Sequence, residues 1–330
     1  MKHDDLFDDG EAQSVSGDLS NRVVLGASHE QLLEVKQEVR WNIQASLEML
    51  LFHKNHFDSA AWCVFRFALA ENTSYSNNSS GLFAQIFRPT LSGTEKPLTE
   101  RYRVLERALE ENKLEADLLI IEALREGMSD HNSRSYGAEI QGTKKAMVEW
   151  RPKLWQEFFD HWHFCIETLI QISLRGEEQR SKAVSCIGHT LRFLIIKGQL
   201  ETVDFAINRV IELYGQYWPS GLNAVKTCLN LDAEKMPKEG LVKLKEWSRL
   251  LEPDQSDIEL SLKPVVCNPP FEHVKNSEGN YDDLAAKKAE QLAEAYNSRL
   301  AELEGALNIL LTGAQKQTYH CGRSFVLSSD

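Results

Sequence analysis

Apolar side chains recur at three- and four-residue spacing along most of the chain, which is the period of an amphipathic α-helix. Residues 28–51 carry the first such run, and Ser28 followed by Gln31 has the form of a capping box at its start. A second run, 58–70, follows after only a few polar residues. Because helices joined by so short a connection pack antiparallel, the pattern predicts a helical hairpin.

A second hairpin is predicted from two further runs, 98–109 and 114–124. Residues 72–97, which connect the two hairpins, are rich in Asn, Ser, Gly and Thr yet contain large apolar side chains. A connection of this length in a compact helical protein is usually functional or folds onto its own aromatic side chains. The segment therefore supplies four candidates for contact with a partner: Asn77, Asn78, Phe83 and Phe87.

The middle of the chain has the strongest helical pattern. Prolines at the start and glycines at the end of successive apolar runs divide it into helices, with Pro152 expected at a first helical position. The expected ranges are 152–174, 177–197, 199–214, 219–231 and 237–251. Hardly any segment has the period of two that indicates a β-strand. The sequence therefore predicts an all-α fold in which residues 26–251 form irregular stacked helical hairpins of HEAT, armadillo or tetratricopeptide type, an α-solenoid.

Three other regions flank this array. Residues 1–25 are acidic and polar, so we expect a flexible tail. Residues 252–281 contain several prolines and indicate a Pro-rich linker. Residues 282–330 begin with a long helix, 282–311, rich in Ala, Glu and Lys, and end in the start of a further element. Such an ending is what a piece of a longer protein would show.

Composition narrows the classes of function. A net charge of −12 over 330 residues disfavours general nucleic-acid binding, because affinity for phosphates comes mainly from clustered Lys and Arg. No run of about 18 apolar residues and no signal-peptide pattern occurs, which predicts a cytoplasmic protein without a membrane segment. Six widely spaced cysteines fit neither a disulfide framework nor a zinc ribbon. Four of them lie among apolar residues of predicted helices, and we expect these to be reduced thiols in the core: Cys63, Cys165, Cys186 and Cys228.

Candidate catalytic or metal-binding chemistry is sparse. Glu157, His161 and Cys165 lie at four-residue steps on one face of a predicted helix, which makes them the candidates for metal ligands, although no second cluster completes a four-coordinate site. Residues 137–144 resemble a phosphate-binding loop, but the order of the hydroxyl residue and the lysine is reversed. The sequence therefore predicts neither a bound metal nor a cofactor. A small all-α metal-dependent hydrolase or nuclease is the alternative hypothesis.

Aromatic residues of the central helices are candidates for contact with a partner, namely Trp155, Trp162, Tyr217 and Trp218. Most aromatic side chains of a helical array belong to its core, but the concave surfaces of such arrays also use them to anchor a bound protein. The first hypothesis is therefore a non-catalytic interaction module, a sensor or scaffold, that binds a protein partner or other domains of a larger chain.

Two segments carry a resemblance to a known family. They are 76–89, Ser-Asn-Asn-Ser-Ser-Gly-Leu-Phe-Ala-Gln-Ile-Phe-Arg-Pro, and 265–273, Val-Val-Cys-Asn-Pro-Pro-Phe-Glu-His. Both are similar to segments in the helical-repeat regions of very large bacterial NTP-hydrolysing proteins of the STAND type. The resemblance implies a role in antiviral defence, in which the repeat region recognises a phage component and separate nucleotide-binding and effector domains act. It implies only the sensing or scaffolding part here, and no catalytic residue is carried over.

Overall fold

In the part of the chain that this computed structural model describes, the regular structure is helical. The described residues are 22–72, 78–129 and 148–252 together with 262–263, 287, 290–291, 308–309, 311–312, 319 and 323. The helices are α1 His29–Leu33, α2 Gln37–Phe52, α3 Phe57–Leu69, α4 Ser79–Gln85, α5 Leu98–Glu110, α6 Leu114–Gly127, α7 Trp155–Ser173, α8 Glu177–Ile196, α9 Leu200–Tyr214, α10 Pro219–Leu231 and α11 Lys238–Leu251, with a 3-10 turn at Ala233–Lys235. The all-α prediction is confirmed for these residues. Within the same ranges, no helix combines the length and the apolar character needed to cross a membrane.

The chain divides into two compact units, Met1–Ala183 and Val184–Asp330. In the first unit α6 is central, since it packs against α3, α4, α5 and α7. Helix α3 also contacts α2, α4 and α5. It can do so because small and apolar side chains cover almost its whole circumference and are fully buried: Ala60, Ala61, Cys63, Val64 and Phe65.

The predicted connection 72–97 contains helix α4 and folds onto aromatic side chains. Phe83 and Phe87 are fully buried. They continue a row of rings that begins with Trp62 and Phe65 on α3, with centroids 5.0 to 5.2 Å apart. Stacked, tilted and edge-on packing at these distances is favourable for aromatic pairs, so Phe83 and Phe87 belong to the core of the first unit.

The first predicted helix begins as expected but is interrupted. The capping box is confirmed, because Ser28 N donates to Gln31 Oε1 at 2.8 Å and Gln31 N donates to Ser28 Oγ at 3.3 Å. The chain then breaks at residues 34–36 and divides the run into α1 and α2. The buried Arg40 guanidinium accounts for the break, since it donates to the Leu32 carbonyl at 2.6 Å and to the Phe67 carbonyl at 3.3 Å. A side-chain donor thus hydrogen-bonds a backbone carbonyl beside the break.

The predicted flanking regions fall largely outside the described residues. Residues 22–26, at the end of the predicted tail, are helical, and Val24 is fully buried. Most of the predicted tail 1–25, of the Pro-rich linker 252–281 and of the helix 282–311 lies outside the described residues. The phosphate-loop-like segment 137–144 lies outside them as well.

The four cysteines among the described residues are buried, as the sequence predicted. Cys63 and Cys165 belong to the first unit, and Cys186 and Cys228 belong to the second. Burial raises the pKa of the Cys63 thiol to about 12 and that of Cys228 to about 12, since the apolar surroundings disfavour the thiolate. These side chains therefore behave as small protonated core residues.

The second unit is held by polar contacts between helix faces as well as by apolar burial. Helix α11 packs against α9 and α10. Asp204 of α9 accepts hydrogen bonds from Trp247 Nε1 at 2.8 Å and from Lys243 Nζ at 3.2 Å, both on α11. On α8, Gly188 lies against the Ser220 residue of α10, so that a Cβ at position 188 would lie 2.5 Å from Ser220 Cβ. The missing side chain allows the two helix backbones to approach closely.

Gly188→Ala is expected to lower the free energy of unfolding by about 1–3 kcal/mol, because the added methyl group overpacks a contact that includes Ser220 backbone. Gly240→Ala is the matched control: its Cβ would meet only Met236 Sδ at 3.9 Å, and helix propensity favours Ala there by up to about 1 kcal/mol. Urea denaturation of the full chain compares the two. Equal stability of the two variants would contradict the close approach of α8 and α10.

Candidate functional site

The start of α7 carries aromatic side chains that pass from solvent into the core. Trp155 is 65% exposed, whereas Trp162, two turns later, is 3% exposed. The half-buried rings of Phe158 and Phe159 lie between them, with centroids 5.2 to 6.2 Å from the two indoles. Leu154, directly before the helix, is 67% exposed. We call the four residues Leu154, Trp155, Phe158 and Phe159 the aromatic patch.

The helix begins at Trp155 and not at Pro152, which corrects the prediction. The reason is Glu157, whose Oε2 accepts hydrogen bonds from the backbone amides of Lys153 at 2.6 Å and Leu154 at 2.9 Å. These bonds lower the pKa of the Glu157 carboxyl group and satisfy amides that the first helical turn leaves unpaired. The capping contact thus fixes the positions of Leu154 and Trp155 at the start of α7.

The segment that leads into α7 is tied to the connection between α4 and α5. Trp150 N donates to the Thr94 carbonyl at 2.9 Å. The Glu149 carboxylate accepts hydrogen bonds from Ser92 Oγ at 3.1 Å and from Gly93 N at 2.8 Å. Ser92 and Thr94 are buried, so the aromatic patch projects from a segment anchored within the first unit.

Arg101 lies beneath this segment and is completely buried. Its guanidinium donates to the backbone carbonyls of Lys96 at 2.8 Å, Ile86 at 2.9 Å and Arg88 at 3.1 Å, and it lies 5.4 Å from the ring centroid of Trp150. Burial lowers the pKa of Arg101 to about 9, and the nearby Glu149 charge opposes that shift. The side chain therefore stays charged at neutral pH and acts as a hydrogen-bond donor to the backbone.

His161 of α7 is fully buried in a network that joins three helices and the segment after α4. Its Nδ1 lies 2.9 Å from the Tyr102 hydroxyl of α5, and the imidazole also hydrogen-bonds the backbone of Phe87 and Gly127. A Cβ at Gly127 would lie 2.7 Å from His161 Nε2, so glycine is needed there. Burial lowers the pKa of His161 to about 3, with the Arg101 charge acting in the same direction. The imidazole is neutral and its two nitrogens are engaged.

The three residues predicted as metal ligands have separate structural roles. Cys165 Sγ lies 3.6 Å from His161 Nε2, so these two are in contact. Glu157 instead caps the first turn of α7. Within the described ranges, no three His, Cys, Asp or Glu side chains converge in an arrangement that fits a metal ion. The Tyr102, His161 and Cys165 contacts form a buried structural network, in which burial also raises the pKa of Tyr102.

The predicted partner-binding residues divide into exposed and buried groups. Trp155 is exposed, and Tyr217 is partly exposed with Lys263 Nζ 5.6 Å from its ring centroid. Asn78 caps α4 by accepting a hydrogen bond from Gly81 N at 2.8 Å, and Asn77 lies outside the described residues. The others are core side chains in this structure: Phe83, Phe87, Trp162 and Trp218. Trp218 Nε1 donates to the Val184 carbonyl at 3.2 Å.

The sequence hypotheses did not include Arg101, Tyr102 and Gly127. A signal for Arg101 exists in the sequence, because it falls within the apolar stripe of α5, between Leu98 and Leu105. A charged residue in such a stripe indicates a buried group that needs partners. Nothing in the local pattern indicates which carbonyls it binds.

His161→Gln is expected to flatten the pH dependence of stability between about pH 6.5 and 4. The folded-state pKa, about 3, lies below the ordinary value, so in this window the unfolded chain binds a proton that the folded chain does not. The free energy of unfolding of the parent therefore falls as the pH falls, with His161 contributing up to about 1.4 kcal/mol per pH unit. Urea denaturation at several pH values measures the slope.

His163→Gln is the control, since it removes an exposed imidazole from the same helix. Its slope should stay close to that of the parent. An NMR titration gives an independent check, because the His161 ring signals should not shift between pH 7 and 4. A full titration step in that window, or an unchanged slope in the His161→Gln variant, would contradict the lowered pKa of His161.

Comparison of the chain with protein-family models, with curated proteins and with solved structures finds no match in any of the three. The resemblance of residues 76–89 and 265–273 to STAND-type proteins therefore stays a prediction. The roles assigned above come from the contacts of this chain alone. Those contacts place a solvent-exposed aromatic patch on a firmly anchored helix start.

Proposed function

We propose that this chain is a non-catalytic helical interaction module, a sensor or scaffold, that binds a protein partner through the aromatic patch. The observation that carries the proposal is the exposure of Leu154, 67%, and Trp155, 65%, beside the half-buried rings of Phe158 and Phe159. Large exposed apolar groups that adjoin one another indicate interaction sites. Tryptophan is also among the residues that contribute most to binding energy at protein interfaces.

The rigidity of the patch supports the same proposal. Its rings pack on Trp162, which is buried, and the preceding segment is tied through Glu149 and Trp150 to the connection before α5. A partner that binds such a surface orders few side chains, and this reduces the entropic cost of association. An apolar surface on a mobile segment would not lower the entropic cost of association in this way.

We further propose that the helical hairpins continue as a stacked α-solenoid and that the partner belongs to a bacterial antiviral defence assembly. The hairpin formed by α5 and α6, whose helices contact each other and α3, supports the first part. The second part rests on the resemblance of 76–89 and 265–273 to repeat regions of STAND-type proteins. A phage component, or another domain of a larger defence protein, is then the class of partner.

The double substitution Leu154→Ser and Trp155→Ser is expected to weaken partner binding by about 30-fold or more, since loss of a central interface tryptophan commonly costs about 2 kcal/mol or more. The full chain serves as bait in extracts of bacterial cells with and without phage infection, and mass spectrometry identifies the retained proteins. A purified candidate is then titrated against each variant by calorimetry.

Val242→Ser is the matched control, because Val242 on α11 is an apolar side chain of similar exposure, 64%, in the second unit. It should retain the same partner as the parent chain. Leu154 and Trp155 contribute little to the core, so each variant should keep its helices. Circular dichroism checks this. Retention of the same protein by all three chains, or of none by the parent, would contradict the proposal.

A further inference from the structure

Two cationic side chains lie directly beside the aromatic patch. Arg151 and Lys153 precede Leu154 and Trp155 in the chain, and all four side chains are exposed. Because consecutive Cα atoms lie about 3.8 Å apart, the Cα atoms of Arg151 and Lys153 are separated by less than about 8 Å. The exposed start of α7 therefore combines large apolar groups with two positive charges.

The two acidic side chains of the same segment are bound within the first unit. Glu149 accepts hydrogen bonds from a hydroxyl group at 3.1 Å and a backbone amide at 2.8 Å in the connection before α5. Glu157 accepts hydrogen bonds from two backbone amides at the start of α7, at 2.6 and 2.9 Å. These carboxylates therefore face inward, where backbone and hydroxyl donors hold them.

Arg151 and Lys153 form no ion pair within the described ranges. The pKa of Glu157 is lowered first by its backbone hydrogen bonds, and the Lys153 charge adds only a smaller effect. Asp160, the next acidic residue of α7, lies about 140° around the helix axis from Trp155. It adds to the rise in the pKa of Tyr102 that burial causes, so it faces α5. The positive charge beside the patch is thus accessible to a ligand.

The stability of α7 does not account for these two cations. The amino end of a helix carries partial positive charge, so Arg and Lys at this end slightly disfavour the helix. Pro152 lies between the two cations and restricts the backbone of both itself and Arg151. Cations placed at a restricted position beside exposed apolar groups suit a surface that binds an oppositely charged partner.

We propose that the partner bound at the aromatic patch presents an acidic segment with at least one large apolar side chain. Its carboxylates pair with Arg151 and Lys153, and its apolar side chain packs on Leu154 and Trp155. This proposal rests on the proposed function, because it names the chemistry of the partner at the same surface. The apolar contact supplies affinity, while the charges select acidic segments over neutral and basic ones.

A protein segment fits this surface better than an anionic lipid bilayer does. A bilayer is an extended plane that faces much of the molecule, and the net charge of −12 opposes its approach. A short protein segment contacts only the patch and its neighbours, because charges beyond about 10 Å are largely screened at moderate salt. The local positive charge then outweighs the net charge of the chain.

Fluorescence anisotropy of two labelled peptides with the full chain tests the proposal. Gly-Asp-Glu-Leu-Phe-Glu-Asp should bind about tenfold or more tightly than its amide analogue Gly-Asn-Gln-Leu-Phe-Gln-Asn at low ionic strength, since only the first carries carboxylates. Added salt should reduce this difference, because the pairs are exposed. The double substitution Leu154→Ser and Trp155→Ser should weaken the binding of both peptides, since both use the apolar contact.

The double substitution Arg151→Glu and Lys153→Glu should abolish the preference and instead favour the basic peptide Gly-Lys-Lys-Leu-Phe-Lys-Lys. Acidic residues suit the amino end of a helix, so this variant should fold, which circular dichroism checks. Lys245→Glu with Arg249→Glu is the matched control, because it changes the net charge equally at exposed positions of α11 in the second unit. It should leave the affinity for the acidic peptide within about twofold of the parent, as expected for distant surface charges.

Equal affinity of the parent for the acidic and amide peptides, with loss of both in the Leu154→Ser and Trp155→Ser variant, would overturn this proposal and leave the proposed function standing. Equal weakening by the two charge-reversal variants, or no binding of the acidic peptide to the parent, would also overturn it. The proteins retained from bacterial extracts then decide the proposed function independently. Sedimentation with phosphatidylserine-containing vesicles tests the other source of negative charge, and binding that depends on Arg151 and Lys153 would overturn the choice of a protein segment.

Discussion

Three backbone carbonyls, those of Ile86, Arg88 and Lys96, converge on the buried guanidinium of Arg101. The chain between α4 and α5 is irregular, so its buried carbonyls have no helical partners, and leaving them unpaired would be costly. A guanidinium can donate in several directions at once, which no uncharged side chain can do to the same extent. One buried guanidinium thus supplies the hydrogen bonds that these carbonyls would otherwise lack. Other elements of the first unit pack against the segment that it holds.

That segment positions the elements around it. Phe87 places its ring in the aromatic row and its backbone against His161, while Ser92, Gly93 and Thr94 bind the chain that enters α7. The aromatic patch is therefore exposed at a fixed position, because Arg101 and Glu149 hold the segment behind it through hydrogen bonds. Desolvating Arg101 has a cost, seen in its lowered pKa, and the carbonyls and the Trp150 ring offset part of it.

Helical periodicity was sufficient to predict the existence of nearly every described helix, since burial of one face dominates their stability. It failed at boundaries set by side chains that bind the backbone: Arg40 at the break before α2 and Glu157 before α7. The candidate site was predictable in part. Trp155 was identified as an aromatic candidate, but its exposure, and the burial of Trp162 two turns later, depend on which helices pack together.

The buried thiols provide a way to detect the opening of each unit. A cysteine reacts with alkylating or oxidising reagents as the thiolate, which the raised pKa values of Cys63 and Cys228 suppress in the folded chain. Among the described residues, each unit contains two buried cysteines, so local opening of either unit exposes its own pair to modification. The pattern of modified positions then records which unit opened. The unlabelled chain thus carries separate chemical reporters of stability for its two halves.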